Sequence, residues 1–455
     1  MGLEIDIATL TYLMFGSLIF FLMLGLPLAF VTGGLGVVFL FLTGDWGMIN
    51  ILPSRIFPFM TDYQLSAIPL FIFMANVLER AGMIEELFDV IYKVLGGLKG
   101  GLATATVIAS TILAAMVGVI GACEVTMGII ALPAMLKRGY DQQLACGSIL
   151  AGGTLGILIP PSILAILFAV VAQQSVGELF VGAVLPGLVL SAMYIVYITV
   201  RSYINPNVGP ALPKEERIGI REKLRLLQGI IAPILLIVLV LGVIFTGVAT
   251  PVEAAGIGTF GALLVCALSR KLTLLNIKQA AVTTLKATTM VLWIMFGASV
   301  FVGFYILNGG QEFVISTMMG TGLGPYGILL ITNILLIILG MFLDWVGILL
   351  LAVPIFVPMM VSMTWVGLWG LAGVSPADVQ LWFGVVYMVN MQMSFLSPPF
   401  GYALYYLKSV APPNVAMATI FKSSVPFMFL QAIGLFLSIA FPWLCIWLPR
   451  IVYSH

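Results

Sequence analysis

The chain has 455 residues, of which 62% are apolar and 8% charged, with a formal net charge of +1; a soluble domain carries roughly 25% charged residues. Uncharged runs at 7–44, 142–177, 226–252, 287–311, 313–343, 345–377, 379–407 and 423–449 each exceed the roughly 20 residues that cross a hydrocarbon core. This composition excludes a water-soluble globule, and a near-neutral charge with no basic tail points away from nucleic acid, so the expected surroundings are a lipid bilayer.

In chain order, the acidic start "MGLEIDIATL" lacks the basic region of a cleaved signal peptide. The first helix is expected to serve as its own insertion signal. Spans at about 8–26, 28–43 and 66–80 precede an amphipathic stretch, "MIEELFDVIYKVLGGLK". A re-entrant hairpin at about 100–136 follows, then a broken span at 142–173 and a span at about 180–200. Residues 201–225 carry six basic side chains, Arg201, Lys214, Arg217, Arg221, Lys223 and Arg225. They read as a cytoplasmic linker, which sets both termini on the extracytoplasmic side. The second half repeats the order: spans at about 229–247, 251–268 and 285–307, the polar stretch "NGGQEF", a hairpin at about 325–362, a broken span at 378–408 and a last span at 424–447.

Five true spans per half is an odd number, so the two halves, 1–200 and 226–455, are expected to insert upside down relative to one another. The fold class expected is an all-α polytopic membrane protein with inverted repeats, two re-entrant helical hairpins and two broken transmembrane helices. Two spacings support the repeat. Pro160-Pro161 and Pro398-Pro399 lie 238 positions apart (160 to 398), and "GLPLAFVTGGLG" aligns with "VATPVEAAGIGT" at a spacing of 224 (Pro27 to Pro251). The difference fits a longer insertion around "MTWVGLWGLAGVSP". Matching interrupted segments in fused halves point to the binding site of a secondary transporter. Thr61-x-x-Gln64, Ser175-x-x-Glu178, Thr250-x-x-Glu253 and Ser375-x-x-Asp378 fit capping boxes, so Glu178, Glu253 and Asp378 read as caps rather than ion ligands. Cys123, Cys146, Cys266 and Cys445 read as packing residues. His455 is the only histidine, which argues against histidine relays and zinc sites.

Adjacent prolines remove two backbone donors and force the helix open. Inside a bilayer that is tolerable only where protein or a wet cavity surrounds the break. Released carbonyls are hard ligands suited to Na⁺, and the N-terminus of the resuming half-helix suits a carboxylate. The expected substrate residues are therefore Thr154, Pro160, Pro161, Ser162, Ser397, Pro398, Pro399 and Gly401. The hairpin turns, near Val117–Cys123 and Gly340–Gly347, are expected to press against the breaks. The expected Na⁺ set is Gly118, Gly121, Glu124, Gly152, Gly153, Gly340, Asp344 and Ser394, arranged as two sites. A carboxylate at this depth is a functional candidate, with helix capping as the plain alternative for Glu124 and Asp344.

At these residues the chain resembles the large membrane subunit of tripartite ATP-independent periplasmic (TRAP) transporters. The most specific stretches are "ALPAMLKRGYDQQLACGSILAGGTLGILIPPSI", "ATPVEAAGIG", "LGMFLD" and "SPPFGYALYYL". The resemblance implies a Na⁺/organic-anion symporter of a bacterial or archaeal inner membrane, built as an elevator. It further implies a small four-helix membrane subunit and an extracytoplasmic solute-binding protein as partners. Many members carry a Ser-Gly-Ser type first hairpin tip, where this chain has Val117-Gly118-Val119. Backbone carbonyls of the tip and of Gly152–Thr154, with Glu124, would then hold that cation. No G-x-x-x-x-G-K-[ST] motif is present, and no nucleophile–base pair suggests an enzyme. The alternative to binding-protein-dependent import is a self-sufficient carboxylate exchanger of similar architecture.

Overall fold

A computed structural model of the protein describes residues 5–43, 49–118, 120–365, 375–399 and 401–453. The described residues hold twenty-one α-helices and no strand. In the first half these are α1 Ile7–Met23, α2 Leu28–Thr43, α3 Ile51–Thr61, α4 Ala67–Arg80, α5 Met83–Leu95, α6 Gly101–Val117, α7 Ile120–Lys137, α8 Gln142–Thr154, α9 Ile163–Ala172 and α10 Val176–Ile204. The second half has α11 Ile220–Gln228, α12 Ile231–Phe245, α13 Pro251–Leu268, α14 Leu274–Leu307, α15 Gly310–Met319, α16 Pro325–Gly340, α17 Trp345–Ser362, α18 Pro376–Leu396, α19 Tyr402–Val410, α20 Met417–Ala440 and α21 Trp443–Tyr453. Among the described residues, seven helices are long and apolar enough to cross a membrane, or nine if each of two bent pairs counts as one span. Large apolar side chains such as Phe260 (69% exposed) and Phe429 (68%) line the outside. In water they would form a large unpartnered apolar surface; in a bilayer they meet their own kind of solvent.

The helix starts follow local chemistry. Thr250 and Glu253 form a complete capping box over α13, with Pro251 at its first position. Ser375 accepts from the Asp378 N–H at 3.2 Å, and Ser175 accepts from the Glu178 N–H at 3.3 Å. The carboxylates are occupied as well: Glu178 accepts from Gln174 Nε2 at 2.6 Å, and Asp378 accepts from the Ser375 hydroxyl at 2.8 Å and pairs with Arg450 at 2.9 Å. Thr61 is not a cap: it ends α3, and Asp62 takes the capping role by accepting from the Gln64 N–H at 2.8 Å.

Several boundaries differ from expectation, among them α11, which begins inside the linker expected at 201–225, and α15, which follows the stretch expected only as polar "NGGQEF". Helix α3 was not anticipated, because Pro53 and Pro58 make its window read as a loop. Helix α14 starts eleven residues before the expected 285, since polar Asn276, Lys278 and Gln279 prolong it beyond the apolar run. Helix α10 runs on to Ile204, and the last span divides at Phe441-Pro442 into α20 and α21, as the residue before a proline leaves the helical region. The insertion at 366–374 and His455 lie outside the described residues.

The linker is held rather than free. Leu212 N–H donates to the Gly96 carbonyl at 2.8 Å, Gly100 N–H to the Gly209 carbonyl at 2.8 Å, and Lys223 Nζ to the Val94 carbonyl at 2.7 Å. Arg138 pairs with Glu216 at 2.5 Å, and this guanidinium holds the Glu216 carboxyl below its usual range.

The packing divides into two groups. In the first, α2 lies on α14, α4 on α13 and α14, and α12 on α13. In the second, α6, α7 and α20 surround α8, while α16, α17 and α20 surround α18; α7 also meets α19, and α17 meets α9. Three of these contacts have counterparts in the other half: α2–α14 with α13–α4, α7–α19 with α17–α9, and α8–α20 with α18–α10.

Candidate transport site

The first break lies between α8 and α9. After Thr154 the chain makes a short 3₁₀ turn, Leu155–Ile157, then passes through the cis Pro160-Pro161 bond. A proline at 161 cannot donate to the carbonyl four residues back, at Ile157. The Ser162 hydroxyl does so instead, at 2.5 Å, and accepts from the Ala165 N–H at 3.3 Å. Ser162 thus repairs one orphan on each side of the gap and caps α9.

The second break is built differently. α18 ends at Leu396, Pro398-Pro399 is again cis, and α19 resumes at Tyr402. Pro399 cannot serve the Phe395 carbonyl, which turns toward Gly401: a Cβ on Gly401 would lie 2.4 Å from that oxygen and 2.9 Å from the Ser397 oxygen. Only glycine fits there. No side chain caps α19; the Gly401 and Leu404 N–H groups donate to the Ser397 and Gly401 carbonyls at 3.1 and 3.0 Å, whereas α9 is capped by the Ser162 hydroxyl. Phe400 lies outside the described residues.

Both hairpins press on the breaks. Gly118, in the left-handed region at φ +63°, sits so close to the first break that a Cβ would lie 2.5 Å from the Pro161 oxygen. Val119 lies outside the described residues. Gly340, at the end of α16, has Ser394 Cβ 2.2 Å from where its own Cβ would be. Gly340→Ala should therefore push α16 off α18 and cost about 1–3 kcal/mol, the usual range for overpacking a tight contact. The thermal midpoint of the purified protein checks this, and an unchanged midpoint would contradict the packing described.

The two hairpin carboxylates part company. Asp344 caps α17, accepting from the Val346 N–H at 3.4 Å. Glu124 lies inside α7, not at its start, and is fully buried; neither carboxylate oxygen has a hydrogen-bond partner. Its side chain fills the space left by Gly153, with Cγ 2.2 Å and Oε1 3.1 Å from the position of an added Cβ. On the other face of α8, Ser110 fills the space left by Gly152. The two glycines thus bring a bare carboxylate against the end of α8. Gly121, by contrast, is covered by the Tyr406 ring at 3.2 Å and faces α19.

The hydroxyls discriminate between ligand types. Thr154 Oγ1 donates to the Ala151 carbonyl at 3.0 Å, Ser397 Oγ to the Met393 carbonyl at 2.8 Å, and Ser394 Oγ lies 3.2 Å from the Asn390 carbonyl. With their protons turned to their own helices, these oxygens offer lone pairs. That suits a cation; a carboxylate would need a donor. Among the described residues no three His, Cys, Asp or Glu side chains converge. A cation here must be held by backbone and hydroxyl oxygens with at most one carboxylate, the hard donor set Na⁺ accepts.

A cavity of about 710 Å³ opens between the two packing groups. Asp344, Tyr402 and Tyr406 line one side, and Pro27, Lys286 and Trp293 line the other. Sequence reasoning missed Tyr402, Tyr406 and Lys286. The tyrosines stand one helical turn apart immediately after the second break, a signal that was available; Lys286 gave none, being a single cation at the edge of an apolar run. Gln431 was also missed: its Nε2 donates to Thr154 Oγ1 at 3.2 Å. Gln392 is buried with both amide atoms unpartnered.

A helical membrane protein opened at two matched breaks, with a cavity between two packing groups, has the form of a secondary transporter. Two solved structures share the fold: the Alcanivorax borkumensis YdaH transporter (TM-score 0.62, 14% identity, 96% of this chain and 99% of that one) and Neisseria gonorrhoeae MtrF (TM-score 0.58, 16% identity, 88% and 84%). The profile described as "Tripartite ATP-independent periplasmic transporter, DctM component" matches residues 15–444, and the chain belongs to that family. Similar proteins include the C4-dicarboxylate TRAP transporter large permease DctM of Vibrio cholerae (28% identical, 97% of each chain) and the sialic acid permease SiaM of the same organism (28%, covering 95% and 96%). The ectoine/5-hydroxyectoine permease UehC of Ruegeria pomeroyi is 28% identical over 97% and 99%. The chain is a large permease subunit of a TRAP transporter, a multi-pass membrane protein.

Proposed function

We propose that this permease imports a small carboxylate, handed over by an extracytoplasmic binding protein, in symport with Na⁺. The carrying observation is the pair of proline breaks, each faced by a hairpin of its own half. Na⁺ binds where a hairpin end meets a break: one ion among the Gly118 tip, Gly152–Thr154 and Glu124, and a second among Gly340, Asp344 and Ser394. Bound charge draws each tip onto its break. The carboxylate then docks at the N-terminal end of α19 beside the Asp344–Lys286 cavity, near Ser162 and Ser397. C4-dicarboxylate and sialic acid, named for two relatives, are organic acids and agree with this class.

The exchangeable contacts support reading 1–200 and 226–455 as inverted repeats. They also support an elevator, in which α6–α10 with α16–α21 slides against α1–α5 with α11–α15. The Thr126 hydroxyl donation to Glu79 at 3.1 Å crosses that boundary and would break on each stroke. A four-helix membrane subunit would steady the second of these groups, with both termini of this chain on the extracytoplasmic side of the inner membrane.

Vesicles containing this permease, its small subunit and its binding protein provide the test. An imposed inward Na⁺ gradient should raise the initial uptake of labelled substrate several-fold. Uptake undiminished by K⁺ replacement would remove the coupling, and uptake without the binding protein would favour a self-sufficient exchanger.

A further inference from the structure

A second cavity, of about 250 Å³, lies on the same boundary but away from the breaks. It is walled by α3 and α14 on one side and by α9 and α17 on the other, elements in mutual contact. Its lining is apolar except for Arg55, Asp62, Gln173 and Ser299. Arg55 has no acidic partner among the described residues. Its stem lies in a trough left by Gly303, where an added Cβ would sit 2.8 Å from Arg55 Cγ and 2.9 Å from Cδ and Nε. The remaining groups are already aimed: Gln173 Nε2 donates to the Val170 carbonyl at 3.1 Å, Ser299 Oγ to the Phe296 carbonyl at 2.9 Å, and Asp62 Oδ1 accepts from the Gln64 N–H.

A guanidinium held by its stem, with no acidic partner among the described residues, stands ready for an anion at the edge of a small apolar cavity. Apolar walls strengthen such a charge-assisted pair, and the planar fork matches a carboxylate at two points. We propose that this cavity is a receiving site for a small carboxylate, with Arg55 as its anchor, distinct from the docking place at the breaks. This rests on the carboxylate reading above. On the orientation proposed there it faces the extracytoplasmic side, where substrate is released to the permease. Asp62 on the same wall disfavours a second negative group, so the cavity suits one carboxylate at a time.

The test is thermal unfolding of the purified, lipid-depleted full chain, titrated with acetate, lactate, succinate and, as a control, inorganic phosphate. At least one carboxylate should raise the midpoint of the wild type. Arg55→Gln should weaken that apparent affinity at least tenfold, with Arg55→Lys between the two. Ser299→Asp, which adds a repelling charge without touching Arg55, should also abolish the shift and covers the case in which Arg55→Gln fails to fold. The site is overturned if no carboxylate shifts the wild type, or if the shift survives in Arg55→Gln or Ser299→Asp. It is equally overturned if phosphate alone acts through Arg55, since that marks a lipid headgroup site. An Arg55-dependent shift alongside Na⁺-independent uptake would sink the symport reading and leave this site standing.

Discussion

With Pro160 and Pro161 both replaced by alanine, Na⁺-driven uptake should fall to background while the protein still inserts and stays folded. A proline inside a helix costs about 3 kcal/mol or more relative to a helix former. Removing two therefore favours continuous helix through Leu155–Ser162 by about 6 kcal/mol, slightly more than the about 5.5 kcal/mol that carries a two-state equilibrium from 1:99 to 99:1. The carbonyls proposed to face Na⁺ would return to helical hydrogen bonds, and Gly118 would lose the Pro161 oxygen it rests on. Hydrogen exchange gives an independent reading, because the Ser162, Ile163 and Leu164 amides at the start of α9 should become strongly protected. Normal uptake by this variant would remove the first break from the mechanism.

Replacing Glu124 by leucine should move stability and function in opposite directions. A buried polar group without a partner costs about 1–3 kcal/mol, and more if charged; an apolar side chain of similar length escapes that cost. The variant is expected to unfold at a higher temperature than the wild type in Na⁺-free buffer. It should also lose the further stabilisation that Na⁺ gives the wild type, and lose transport. A leucine variant that is less stable, or that still transports with Na⁺, would show that Glu124 serves packing alone. Such opposition is the mark of a site kept at the expense of the fold.

Much of the architecture was legible because bilayer physics is strict. Each broken segment and hairpin falls within a few residues of its expected bounds, since an uncharged run interrupted by Pro-Pro or Gly has few ways to be satisfied in lipid. The errors lie where that rule relaxes. Helix α3 hid behind Pro53 and Pro58, α14 extends through a polar turn, and Thr61 lost its cap to the neighbouring Asp62. Within the candidate site, glycines and prolines were readable because they act through the backbone. Asp344 and Glu124 look alike in sequence, but one caps a helix and the other is inserted into a glycine gap across from it. Lys286 and Arg55 could not be found at all, because what singles them out is the helix each faces across a cavity, and a linear sequence does not show which helices face.

The exchanged contacts between the halves have a consequence for how the protein is made. Helices α2, α4, α8 and α10 each rest on an element synthesised more than 170 residues later. When the ribosome reaches the linker, the first half stands in the membrane with every one of these faces still open. The chain can be inserted in order, but it can close only from its far end, so nascent permease depends on neighbouring lipid or on a chaperone until α20 has emerged.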